Sequence, residues 1–126
     1  MLQKYKIKKK LGEGGFGQVY LAEEKISKRS VAIKSLNEKD PYKQTDIVDE
    51  IRTLSTMNHP NIIGYYHTEI EDGVVYLVME YCEGGTLLDR IYKSEYSQIE
   101  AMEWCRKIAN TMSYVHKQGI YHHDIK

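Results

Sequence analysis

Cysteine is scarce: Cys82 and Cys105 are the only two among 126 residues, too few for a disulfide framework. A chain without an export signal keeps such thiols reduced, in the cytosol or nucleus. The start, Met1 to Lys10, is too polar and too charged for a signal peptide. Long apolar runs are missing too, and none approaches the roughly 20 residues that a membrane span needs. Charge of one sign is not in excess. Lys+Arg and Asp+Glu number 18 each, for a formal net charge of zero, whereas a nucleic-acid-binding surface needs a basic excess to release counterions. The local cluster of Lys4, Lys6, Lys8, Lys9 and Lys10 is read as the solvated face of a first strand. Five scattered histidines and two distant cysteines lack the ligand spacing of a zinc site. Internal repeats and low-complexity tracts are absent.

What remains is the composition of a globular domain, or of a large piece of one, with 41% hydrophobic and 29% charged residues. Strand signals dominate the first third. Residues 5–11 alternate weakly, and 18–23 and 30–36 are rich in Val, Ile, Ala and Tyr. Asp40-Pro41 breaks the chain, after which Ile47, Ile51 and Leu54, flanked by Val48, recur at helical spacing. That helix is predicted to end near Asn58-His59-Pro60, because the residue before a proline is pushed out of helical geometry. Two more strands are predicted over 62–67 and 74–80, joined by the hairpin signal Asp72-Gly73. Gly84-Gly85 punctuates, and a short helix is predicted over 87–93. A longer helix over 97–118 opens on Ser97 and Glu100, an S-x-x-E capping box. It carries an apolar stripe of Ile99, Met102, Cys105, Ile108, Ala109, Met112 and Val115. Three strands, a helix, two strands and two helices make an α+β arrangement, with a helix laid on an antiparallel sheet.

Leu11-Gly12-Glu13-Gly14-Gly15-Phe16-Gly17-Gln18-Val19 matches G-x-G-x-x-G-x-V. A dinucleotide-binding loop competes for this pattern, but it needs a helix directly after its glycines to receive the pyrophosphate. Here Val19-Tyr20-Leu21-Ala22 continues as a strand, so the glycines sit at a hairpin tip. Glycines there let backbone N–H groups approach phosphates with no Cβ in the way; an ordinary flexible hairpin is the plainer alternative. Seventeen residues beyond Gly17, Val31-Ala32-Ile33-Lys34 matches V-A-I-K, an apolar strand whose single cation supplies charge to the α- and β-phosphates. A surface lysine is the alternative there, with Val31 and Ile33 buried on the opposite face in either case. On the following helix Glu50 faces the sheet and is expected to pair with Lys34. Asp49 points about 100° away and is the weaker partner.

Taken together, these motifs resemble the eukaryotic protein kinases over essentially the whole chain. The resemblance implies a kinase N-lobe and hinge over 1–82, a five-stranded antiparallel sheet plus one helix, and the first C-lobe helices over 83–126. Val75-Tyr76-Leu77-Val78-Met79-Glu80-Tyr81-Cys82 looks like the fifth strand running into the hinge. By that match Met79 is the gatekeeper, the backbone of Glu80 and Cys82 would hydrogen-bond adenine, and Leu11, Val19 and Ala32 would roof the base. Gly12, Gly14 and Gly17 would cover the phosphates of ATP. Leu54 and Tyr65 fall where the family places two members of its internal hydrophobic spine. The final Tyr121-His122-His123-Asp124-Ile125-Lys126 resembles H-R-D-[LI]-K. It makes Asp124 the catalytic base and Lys126 the residue steadying the transferred phosphate, in the serine/threonine pattern.

The stretch Gly84-Gly85-Thr86-Leu87-Leu88-Asp89-Arg90-Ile91, with His59-Pro60-Asn61-Ile62, is similar to the NIMA-related branch. His123 departs from the pattern, standing where the family has the arginine that pairs with a phosphorylated activation loop. The implied ligands are ATP and Mg²⁺, with the metal ligands expected downstream of Lys126, and the implied partner is a protein substrate. As a 126-residue chain it is expected to be inactive and to self-associate through the helix over 97–118. The alternative is a non-catalytic kinase-like module that binds a nucleotide or a partner.

Overall fold

The computed structural model describes residues 2–14, 17–36 and 41–122. Its elements run β1 (Tyr5–Gly14), β2 (Gly17–Glu24), β3 (Ser30–Leu36), α1 (Pro41–Thr56), β4 (Tyr65–Glu71), β5 (Val74–Glu80), α2 (Leu87–Tyr92) and α3 (Gln98–Lys117). The five strands form one sheet in the order β1-β2-β3-β5-β4, and every neighbouring pair is antiparallel. This is the α+β, kinase-like lobe expected from the sequence, followed by helices. The chain packs as two units. One takes in the sheet and α1, up to Asn58 and again over Ile63–Tyr81; the other takes His59–Ile62 and the chain from Cys82 onward.

Period-two alternation gives the sheet two buried faces. Val31 and Ile33 of β3 pack with Ala22, Val78, Tyr5 and Leu2 on one face. Leu36, Leu77 and Met79 pack on the other, against Ile47, Ile51 and Leu54 of α1 and Tyr65 and Val75. Leu54 and Tyr65, the two residues expected at spine positions, thus pack against one cluster. Full burial of Val31, Ile33, Leu36, Leu77 and Val78 contributes about 1.5–3 kcal/mol per side chain. This burial on both faces of β3 and β5 fixes their register, since a one-residue slip would exchange the two faces.

The lysines in and just before β1 are exposed, and three of them are paired with glutamates. Lys4 meets Glu69 at 3.2 Å, Lys8 meets Glu23 at 3.5 Å and Lys10 meets Glu13 at 2.5 Å. No helix among the described residues is long and apolar enough to cross a membrane.

Two sequence expectations need correction. The fourth strand spans Tyr65–Glu71 rather than 62–67. Ile62 is held in a turn by its N–H to the His59 carbonyl (3.1 Å), while Glu71 still pairs with Val74 across the hairpin. Asp72 and Gly73 both take positive φ (52° and 76°), the two-residue type I′ geometry that carries pairing right up to the turn. Thr68, Glu69 and Glu71, all half-buried, hid that strand because they break the apolar alternation from which a strand is read. The second correction concerns capping. Ser97 accepts the Glu100 N–H as expected (3.1 Å), but the Glu100 carboxylate goes to Arg90 (3.0 Å) instead of back to the cap. The complete box caps α2, where the Thr86 hydroxyl accepts from Asp89 N–H (3.1 Å) and the Asp89 carboxylate accepts from Thr86 N–H (2.8 Å).

Candidate functional site

The β1–β2 hairpin carries the glycines. Gly12 pairs with Val19, Glu13 with Gln18 and Gly14 with Gly17. Gly17 has φ of 138°, and a Cβ there would stand 1.8 Å from the Ser35 carbonyl oxygen. Glycine alone lets β2 close onto β3 at this point. At Gly12 and Gly14 a Cβ would meet nothing within 4 Å, so their lack of a side chain leaves open space beside the backbone rather than relieving a clash. Leu11 precedes them in β1 and is 40% exposed.

Beneath the hairpin, strand register brings the other candidates together. Val19 lies opposite Lys34, Leu21 opposite Ala32, and Ala32 in turn opposite Met79. Directly paired residues of an antiparallel sheet share a face, so Val19, Ala32, Lys34 and Met79 line the side on which α1 packs. Ala32 and Met79 are buried. On α1, Ile47, Glu50, Ile51 and Leu54 follow i, i+3, i+4, i+7 spacing, and the apolar three anchor that stripe on the sheet. Glu50 is therefore carried in with them.

Its carboxylate oxygen Oε1 stands 2.6 Å from Lys34 Nζ, with the two side chains 31% and 22% exposed. A charge-assisted hydrogen bond this short and partly shielded from water is stronger than an exposed ion pair. Asp49 points elsewhere and pairs loosely with Arg52 at 3.7 Å.

At the end of β5, Glu80 is clamped to Gly64 twice. Its backbone N–H donates to the Gly64 carbonyl (2.7 Å) and its carboxylate accepts the Gly64 N–H (2.9 Å). Nothing in the sequence flagged this clamp, because a glutamate at a strand end usually means only a solvated side chain. The role of the Ser35 carbonyl against Gly17 was equally invisible, since it is a backbone contact. Cys82 is an exposed free thiol. His123, Asp124 and Lys126 lie outside the described residues. Among the described residues no group of three or more His, Cys, Asp or Glu side chains gathers into a metal site.

A family model described as the protein kinase domain matches residues 5–126. The chain is 35% identical over 130 residues to the human serine/threonine-protein kinase Nek5, covering 99% of this chain and 18% of that protein. It is 36% identical over 125 residues to a probable serine/threonine-protein kinase zyg-1 of Caenorhabditis briggsae, covering 98% of the chain and 17% of that protein. It is 40% identical over 126 residues to calcium/calmodulin-dependent protein kinase type 1 of Macrobrachium nipponense, covering 98% and 36%. The chain thus spans well under half the length of these relatives. With the glycine hairpin, the Lys34–Glu50 pair and these matches together, the chain belongs to the serine/threonine protein kinase family.

Proposed function

We propose that the described residues form the upper half of an ATP site, and that the protein to which they belong transfers the γ-phosphate of ATP to protein hydroxyls. The single observation that carries this reading is the 2.6 Å Lys34–Glu50 pair on the sheet face shared with Val19 and Ala32. A lysine ammonium held by one carboxylate keeps further N–H donors for the α- and β-phosphates. Glu50 fixes its direction, so little side-chain freedom remains to be lost on binding. Small Ala32, with Val19 and Leu11, offers apolar surface to the adenine. The open space at Gly12 and Gly14 admits phosphate oxygens to backbone N–H groups.

The N–H of Glu80 is committed to Gly64, so the hinge reading assigns to adenine the Glu80 carbonyl and the backbone of Cys82. By motif, Asp124 takes the proton from the substrate hydroxyl and Lys126 steadies the phosphate in transfer. Magnesium is the family's usual charge-neutralising partner, and when bound it would offset charge on the β- and γ-phosphates.

The 126-residue polypeptide itself is proposed to be inactive, because residues matching the family's metal-binding Asn and D-F-G aspartate do not occur within it. We also propose that it self-associates through α3, whose Ile99, Met102 and Ile108 are 75%, 66% and 45% exposed. Two free cysteines favour a reducing compartment, cytosol or nucleus. An ATP acyl phosphate, which acylates a lysine held beside the phosphates, tests the nucleotide reading. Peptide mapping is expected to find Lys34 modified, with protection by excess ATP. Labelling spread over the exposed lysines and indifferent to ATP would overturn the reading.

A further inference from the structure

The glycine hairpin is braced from the sheet face opposite Lys34 by a chain of side chains that the kinase motif does not require. Glu13 accepts from Lys10 at 2.5 Å through one carboxylate oxygen and from the Gln18 side-chain amide at 3.2 Å through the other. The Gln18 amide oxygen in turn accepts from the Tyr20 hydroxyl. Gln18 also gives its backbone carbonyl to the Ser35 hydroxyl at 3.3 Å. One side chain therefore spans both strands of the hairpin, while its backbone is tied to the residue next to Lys34. Hydrogen bonds from Lys10 and then Gln18 hold the Glu13 carboxyl below its ordinary value, so the brace is anionic at neutral pH. Behind it lies a pocket of about 370 Å³ lined by Gly14, Gly17, Gln18, Tyr20, Ser35 and Tyr76, which leaves the hairpin room to tilt if the brace is cut.

We infer that Gln18 is a positioning residue that holds the glycine hairpin at a fixed height relative to Lys34, and thereby sets how closely its N–H groups approach the phosphates of a bound nucleotide. The inference rests on the nucleotide reading above. It is specific in one respect: the phosphates lie under the glycines while adenosine meets only Leu11 and Val19 at the base of the hairpin, so ATP senses hairpin height more strongly than adenosine does.

The test compares the full chain with Gln18→Ala and with Gln18→Glu, which keeps the size but sets two carboxylates against each other. Amide hydrogen exchange without ligand is read at residues 12–19 and, as an internal control, at the β4–β5 turn over 71–74. Calorimetry then gives affinities for ATP and for adenosine. Losing one or two hydrogen bonds is expected to speed exchange over 12–19 by about three- to tenfold, with 71–74 unchanged and a larger effect in Gln18→Glu. ATP affinity is expected to fall by a similar factor, and adenosine affinity by clearly less. Unchanged exchange over 12–19, exchange rising in both hairpins together, or ATP and adenosine weakening equally would each overturn the assignment. Wild-type protein that takes up neither ligand would sink the nucleotide reading and Gln18's role toward phosphate with it. Wild-type binding of ATP that both variants leave intact overturns Gln18 alone.

Discussion

Replacing Gly17 with alanine is expected to disable the hairpin through a single methyl group. The added Cβ would stand 1.8 Å from the Ser35 carbonyl oxygen and 3.0 Å from its carbon, and the backbone φ of 138° is one that side-chain-bearing residues rarely adopt. The obstructing atom is backbone of β3, the central strand pinned by buried Val31, Ile33 and Leu36, so it cannot swing aside as a side-chain tip would. Relief requires β2 to lift by more than an ångström, at the expense of its pairing with Ser35. Strain at such a φ costs on the order of 1–3 kcal/mol, and forced overpacking costs a similar amount.

A combined loss of about 2–6 kcal/mol should lower the melting temperature by roughly 10 °C or more in a chain of this size. Gly12→Ala and Gly14→Ala are the controls, since a Cβ at either meets nothing within 4 Å. Both are expected to melt within a few degrees of the parent. Thermal unfolding followed by circular dichroism reads all three variants. Gly17→Ala melting alongside Gly12→Ala would refute the argument that Gly17 is required by the approach of β2 to β3.

Thr86→Ala removes a hydroxyl from the complete capping box of α2 and should cost about 1 kcal/mol of local helix stability, read as faster amide exchange over 87–92. The same box gives a pH signature. Hydrogen bonds from the Thr86 backbone and then its side chain hold the Asp89 carboxyl below its ordinary value. The cap therefore contributes fully above the ordinary aspartate range and is lost as pH falls through the lowered folded value, a loss that Thr86→Ala should blunt. For association, light scattering on dilute protein should give a mass above the monomer that falls with Met112→Glu on α3. A monodisperse monomer indifferent to that substitution contradicts the proposal. For catalysis, the 126-residue chain with Mg-ATP and generic serine/threonine substrates should incorporate no phosphate above background. Incorporation that disappears in Asp124→Asn would overturn the proposed inactivity.

Strands β3 and β5 were legible to the residue because both of their faces are buried, which writes continuous apolar runs into the sequence. β4 was read three residues early, since Thr68, Glu69 and Glu71, each half-buried, break the apolar alternation and read as a loop. Glu50 could be favoured over Asp49 from helical spacing, because Ile47, Ile51 and Leu54 define the stripe that meets the sheet. The capping box at Ser97 was half legible. Sequence spacing supplies the right residue types but cannot register that Arg90, ten residues away along the chain, takes the Glu100 carboxylate. The Gly64–Glu80 clamp and the Ser35 carbonyl against Gly17 left no trace in the sequence. Both depend on backbone groups, which every residue carries alike.

Titrating ATP into the 126-residue chain and into its Lys34→Ala variant, by calorimetry under the same conditions, is the most direct measurement of whether the glycine hairpin and the Lys34–Glu50 pair form half of a nucleotide site. Weak but saturable binding is expected in the parent, with Kd in the high-micromolar to millimolar range. At ATP tenfold above Kd this corresponds to about 1.4 kcal/mol of added stability. Removing the lysine deletes a charge-assisted contact to phosphate and should weaken binding by roughly tenfold or more. Binding to the parent that Lys34→Ala leaves unchanged, or no binding to the parent at millimolar ATP, would contradict the account.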